Sequence, residues 1–139
     1  MGGGNFGGFK NTKGAENEYE MPNHKKAITP KEKFINYSLD YTNPNSKGKA
    51  EAYEKALGFT KENANLLIDQ IHSNVAEGKV HPISIQSNNY GTKYKYEISV
   101  KGPNGKTKIV VAVYQIDKNS KTPRLITNYV KKKGKNNEI

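Results

Sequence analysis

Lys93, Lys95, Arg124, Thr127 and Tyr129 form a set of cations and hydroxyls in the C-terminal third of the chain. Such a set can hold an anion and move protons. The reaction it suits is metal-independent RNA cleavage, in which a 2′-hydroxyl attacks the adjacent phosphate. One group takes the hydroxyl proton, a second protonates the leaving oxygen, and cations hold the phosphorane charge. If Ile126 and Val130 face inwards, a period of two puts Leu125, Thr127 and Tyr129 on the opposite face, shared with Lys93 and Lys95. Singly, Thr127 and Tyr129 are also ordinary strand formers, and lysines on a strand commonly make a solvated face. The combination carries more weight than any member.

Four further positions could join this chemistry. Lys47 and Lys49 fall in the first turn of an expected helix, where backbone amides already favour an anion; lysines there are also commonly solvent-facing. His72 lies at the border of an apolar helical stripe and could reach a cleft as general acid or base. The plainer reading of His72 is a border residue hydrogen-bonded to a neighbouring strand or to water. His81, before Pro82, has a similar choice.

Other chemistries are poorly supported. His24, His72 and His81 lack the close spacing of a zinc site, and there is no cysteine to supply a thiolate ligand or a disulfide. No phosphate-binding glycine loop opens a helix after a strand, and no serine nucleophile elbow occurs. No cofactor and no metal are therefore expected. Lys and Arg total 23 against 13 Asp and Glu, a net charge of +10 and a pI of about 9.6. That balance favours phosphate-rich partners or acidic proteins, although basic domains also use charge simply for solubility.

The elements that must position these residues follow from periodicity. Residues 1–33 are glycine-rich, show no apolar period, and read as a flexible leader resembling the cut end of a longer polypeptide, although a glycine-rich tail on an independent protein is also common. No apolar run approaches a membrane span, and the N-terminus lacks a signal-peptide core, so export would have to be arranged from outside the chain. The domain is expected over 34–130, with a basic tail at 131–139. Phe34 to Tyr41 is a short helix or arm, broken at Thr42-Asn43-Pro44-Asn45. A helix capped by Ser46 carries Ala50, Tyr53, Ala56 and Leu57 at helical spacing and stops at Gly58. A second, after Thr60, carries Ala64, Leu67, Ile68, Ile71 and Val75, and the two are expected to form a hairpin. Strands are expected over Lys93–Val100, Ile109–Ile116 and Arg124–Val130, with a turn at Gly102-Pro103-Asn104-Gly105-Lys106. The result is α+β, with N-terminal helices packed on a twisted antiparallel sheet of three to four strands.

The order of several short motifs resembles a known group. Ile35-Asn36-Tyr37-Ser38-Leu39, Gly48-Lys49-Ala50, Leu57-Gly58-Phe59, Tyr90-Gly91-Thr92-Lys93-Tyr94, Gly102 to Gly105, and Pro123-Arg124-Leu125-Ile126-Thr127 look like a domain family of bacterial polymorphic toxin systems. The whole resembles the C-terminal toxin domains of contact-dependent growth inhibition (CdiA-type) proteins with the barnase/EndoU/colicin/RelE-like ribonuclease fold. The resemblance implies an endoribonuclease cutting transfer RNA, with elongation factor Tu required in some cases and a cognate immunity protein as neutralising partner. It also implies delivery as the C-terminal part of a larger secreted or surface protein, with action in the target-cell cytoplasm. The family pattern points to Lys49, Arg124 and Thr127 as site members, followed by Tyr129 and Lys93. The Val-Glu-Asn-Asn boundary motif of such proteins is missing, and only Ala15-Glu16-Asn17-Glu18 stands in its region.

Charge supports that resemblance independently, since a cationic cleft suits RNA and a basic toxin suits an acidic immunity partner. Two other readings remain open at this level. One is a non-catalytic RNA-binding module using Lys93, Lys95 and the tyrosines as a stacking surface. The other is an adaptor domain of a phage or secretion apparatus, its charge serving protein contact alone.

Overall fold

The computed structural model describes residues 20–132. Two helices precede a four-stranded antiparallel sheet, so the domain is α+β as expected. Helix α1 spans Lys47–Leu57 and α2 spans Ala64–Ala76. The strands are β1 (Ser84–Asn88), β2 (Gly91–Lys101), β3 (Thr107–Asp117) and β4 (Arg124–Val130), adjacent in sequence order.

The alternation of β2 sets the inner face of the sheet. Tyr94, Tyr96, Ile98 and Val100 are buried, and pairing brings Val110, Ala112 and Tyr114 of β3 beside them. Against this face lie Tyr53 and Leu57 of α1 and Leu67, Ile71 and Val75 of α2. Each helix packs chiefly on the sheet rather than on the other helix, α1 on β4 and α2 on β2, so the expected helical hairpin is not the organising contact. An apolar stripe on each helix finds more area to cover on a sheet face than on a second helix.

The end of α1 is fixed by two glycines. Gly58 adopts φ 85°, and its amide donates to Tyr53 O (3.1 Å) and Glu54 O (2.9 Å), closing the helix with a left-handed residue. Gly102 in the β2–β3 turn lies directly on the last turn of α1, where a Cβ would overlap the Leu57 carbonyl. Ser46 occupies the N-cap position, yet its hydroxyl makes no bond to the first turn and instead reaches Asp40 O (3.4 Å).

The expected boundary at Phe34 is corrected, because residues 20–33 belong to the domain. Met21 is 1% exposed and Ala27 is buried. Ile28 N–H donates to Pro123 O (2.8 Å) and Leu125 N–H to Ile28 O (2.9 Å), which adds a parallel bridge beside the start of β4. These anchors are single residues without a period, and a periodicity argument does not register them. At the other end Lys131 extends the pairing, its amide donating to Ile109 O (2.8 Å) and its ammonium meeting Glu97 (2.9 Å). The remainder of the expected leader, 1–19, and of the tail, 133–139, lies outside the described residues.

Candidate functional site

β4 is an edge strand, and a bulge decides which of its side chains face outwards. Thr127 pairs with Val113 and Leu125 with Tyr114, so Ile126 is the extra residue. Leu125 therefore points into the core with Tyr114, and Asn128 points inwards beside Ala112. Strict alternation from Leu125 is corrected on this point. Thr127 and Tyr129, which pair with Val113 and Val111, lie on the outer face together with Lys93 and Lys95.

Helix α1 packs on β4 and brings a cation to it. Tyr53 O–H donates to Asn128 Oδ1 at 2.7 Å, both groups buried, and burial pushes the Tyr53 phenol well up, which keeps it a donor. One helical turn earlier, on the same face of α1, Lys49 Nζ donates to Thr127 Oγ1 at 3.1 Å. The ammonium also stands 6.0 Å from the centroid of the Tyr129 ring. Burial lowers the Lys49 pKa, and the nearby charge of Lys33 lowers it further.

Lys33 comes from the five-residue π-helical turn Phe34–Ser38 and the residue before it. Phe34 is fully buried, Leu39 N–H donates to Phe34 O (2.8 Å), and the buried Ser38 hydroxyl donates to Lys33 O (3.0 Å). The turn thus presents Lys33 and Tyr37 to a cleft of about 310 Å³, lined also by Ser38, Lys49, Ile126, Thr127 and Asn128. An anion entering here meets two cations, a threonine hydroxyl and exposed aromatic surface.

The structure brings Lys49, Thr127 and Tyr129 together, and separates them from the other expected members. Arg124 does not line the cleft. Its Nε and Nη2 donate to Asp117 at 2.8 and 3.0 Å, while Gln115 Nε2 donates to the same carboxylate at 2.6 Å. The Arg124 and Gln115 bonds hold the Asp117 pKa down at about 2, and Asp117 in turn raises that of Arg124. Lys93 shares a cross-strand row with Gln115 and Arg124, and Lys95 a row with Val113 and Thr127. Two strand spacings put the Lys95 and Thr127 backbones about 10 Å apart. Lys47 is exposed at the first position of α1, outside the cleft.

His72 is directed elsewhere. Its Nδ1 is 2.9 Å from Thr29 Oγ1, which lies 2.6 Å from Tyr114 O–H, forming a partly buried chain on the helix side of the sheet. His81 is exposed and meets Glu20 at 3.7 Å. Of the lining residues, Lys33, Tyr37, Ser38 and Asn128 have no functional role in the sequence reading. Lys33 fell within the expected leader, and Tyr37 within a motif quoted only for resemblance. Among the described residues, no three His, Cys, Asp or Glu side chains form a metal-ligand set, and no helix is long and apolar enough to cross a membrane.

Fold and cleft together define a small α+β domain that presents a cationic, hydroxyl-lined site beside an edge strand. The chain belongs to the family described as Domain of unknown function (DUF6883), whose family model matches residues 20–132. Among solved structures it is similar to a chain of the contact-dependent growth inhibition toxin–immunity protein complex from Klebsiella pneumoniae 342. The TM-score is 0.59 at 16% identity, covering 76% of this chain and 93% of that one, a likeness of fold. No curated protein matches the chain.

Proposed function

We propose that this domain is a metal-independent endoribonuclease toxin of interbacterial competition, cutting transfer RNA in the cytoplasm of a target cell and neutralised by an acidic cognate immunity protein. The observation that carries this reading is the Lys49–Thr127 bond in a cleft that also holds Lys33. A partly desolvated ammonium beside a second cation is poised for a phosphodiester, whose charge relieves the repulsion between them. The shared fold with a chain of a toxin–immunity complex supports the toxin role, and the net charge of +10 suits both RNA and an acidic partner.

In this mechanism the scissile phosphate sits between Lys33 and Lys49. O2′ attacks phosphorus, the P–O5′ bond breaks, and a 2′,3′-cyclic phosphate and a 5′-hydroxyl result. The O2′ proton leaves to water through the Tyr129 hydroxyl, which accepts it while passing on its own. Lys49, made a stronger acid by burial, gives a proton to O5′. Thr127 accepts from Lys49 and donates its own hydrogen to a non-bridging oxygen. Arg124, Lys93, Lys95 and Lys47 hold flanking phosphates, with Arg124 oriented by Asp117. His72 has no part in the step.

The test is incubation of the purified chain, with EDTA, with total bacterial RNA in a cell extract that supplies elongation factor Tu. Discrete transfer-RNA fragments with cyclic phosphate ends are expected. Intact RNA would contradict the proposal. A non-catalytic RNA-binding module is the second reading, favoured by the placement of Lys93 and Lys95 on the outer face away from the cleft. It expects salt-sensitive binding without product.

A further inference from the structure

Tyr37 has an unusual position for an aromatic residue. It is 49% exposed, yet it belongs to a tightly bonded turn rather than a loose loop, and it lines the cleft that holds Lys49 and Thr127. The Lys33 ammonium stands 5.8 Å from its ring centroid. Phe34 and Ser38 on either side are buried, so the turn is anchored while this one ring is left open to solvent. A flat apolar surface held beside two phosphate-binding cations matches a nucleotide, with phosphate on the lysines and base on the ring.

We infer that Tyr37 is a stacking platform for an unpaired base next to the bound phosphate, so that the substrate class is RNA single-stranded at the scissile step. This inference rests on the phosphodiester-cleft reading given above and deepens it. In duplex RNA both faces of a base are covered by its neighbours, and only a splayed base can lie on the ring. Lys33 attracts the π system of Tyr37, and the exposed half of the residue is available to the base. Tyr37 is therefore a specificity-determining residue, acting through base contact and not through charge.

The experiment uses the full chain and a fluorescent oligoribonucleotide carrying 2′-O-methyl groups, which lacks the attacking hydroxyl. Binding is measured by anisotropy over a salt series, with the oligonucleotide single-stranded and as a blunt duplex. The wild type is expected to prefer the single strand. Tyr37→Leu should weaken single-strand binding about 5- to 100-fold, leave duplex binding and the salt slope unchanged, and retain the native circular dichroism spectrum. Tyr37→Phe should bind like the wild type, because the ring and not the hydroxyl makes the contact. Equal single-strand binding by Tyr37→Leu, or an equal loss on both forms, would overturn the inference. If Lys49→Ala lowered the salt slope while Tyr37→Leu changed nothing, the phosphate cleft would stand and the stacking platform would fall. If the wild type bound neither form, both readings would fall together.

Discussion

The buried hydrogen bond from Tyr53 to Asn128 (2.7 Å) sets the position of Lys49, because it clamps α1 to β4 one helical turn from the Lys49–Thr127 contact. A bond inside the core thereby fixes a charge at the surface. Removing it is expected to disturb stability and site together.

Tyr53→Phe leaves the Asn128 amide oxygen buried without its donor. The expected cost is about 1–3 kcal/mol of folding stability, read by urea denaturation. RNA cleavage should fall as well, because α1 loses its tether beside the cleft. Unchanged stability would show that the clamp is dispensable.

In the proposed reaction Lys49 trades stability for function. Burial and Lys33 lower its pKa, so the folded state disfavours the charged form that the unfolded chain carries freely. Below the lowered pKa this penalty is fully present; it fades as pH rises through the lowered pKa towards the unfolded one. Lys49→Met should therefore be as stable as the wild type or more so at pH values below the lowered pKa, by up to about 1 kcal/mol after solvent screening, and catalytically dead. A thermal melt and a cleavage assay on the same preparation check both halves.

Asp117 gives a prediction in acid. Bonds from Arg124 and Gln115 lower its pKa from 3.8 to about 2. Its stabilisation is thus complete above about pH 4 and is lost as pH falls from 4 towards 2. Asp117→Asn should flatten that part of the urea-midpoint profile and leave the profile above pH 5 parallel to the wild type. An unaltered acid slope would contradict the assignment.

Met21 tests the corrected domain boundary. Its side chain is fully buried, so Met21→Ala should cost about 2–5 kcal/mol. A chain beginning at Phe34 should fail to fold cooperatively, since it also loses the Ile28 bridge to β4 and the Thr29 link to Tyr114. Cooperative unfolding of that shortened chain would restore the leader reading.

Strongly periodic elements were legible in the sequence. The stripe Leu67, Ile71, Val75 and the alternation Tyr94, Tyr96, Ile98, Val100 each repeat often enough to specify element and face, and they hold the core. β1 was not legible, because an edge strand with mostly exposed residues and Ile85 as its sole large apolar residue has little pattern to offer. The bulge at Ile126 was invisible for a different reason: alternation in one strand does not reveal an extra residue against its partner. Lys49 could be singled out from its place in the first turn of a helix. Lys33 could not, because its segment is anchored by Met21 and Ala27, which are widely spaced. Nor could the Asp117 partner of Arg124 be read, since the β3–β4 connection brings the two together.

In the proposed reaction the Lys49–Thr127 cleft, and not the Asp117–Arg124 pair, breaks the phosphodiester bond. The most direct measurement is single-turnover cleavage of bacterial transfer RNA in extract with EDTA, comparing the wild type with folded Lys49→Ala, Thr127→Ala and Arg124→Ala. A loss of about 100-fold or more is expected for Lys49→Ala, a smaller loss for Thr127→Ala, and for Arg124→Ala chiefly weaker RNA binding. Full cleavage by Lys49→Ala, with activity abolished only by Arg124→Ala, would contradict this proposal.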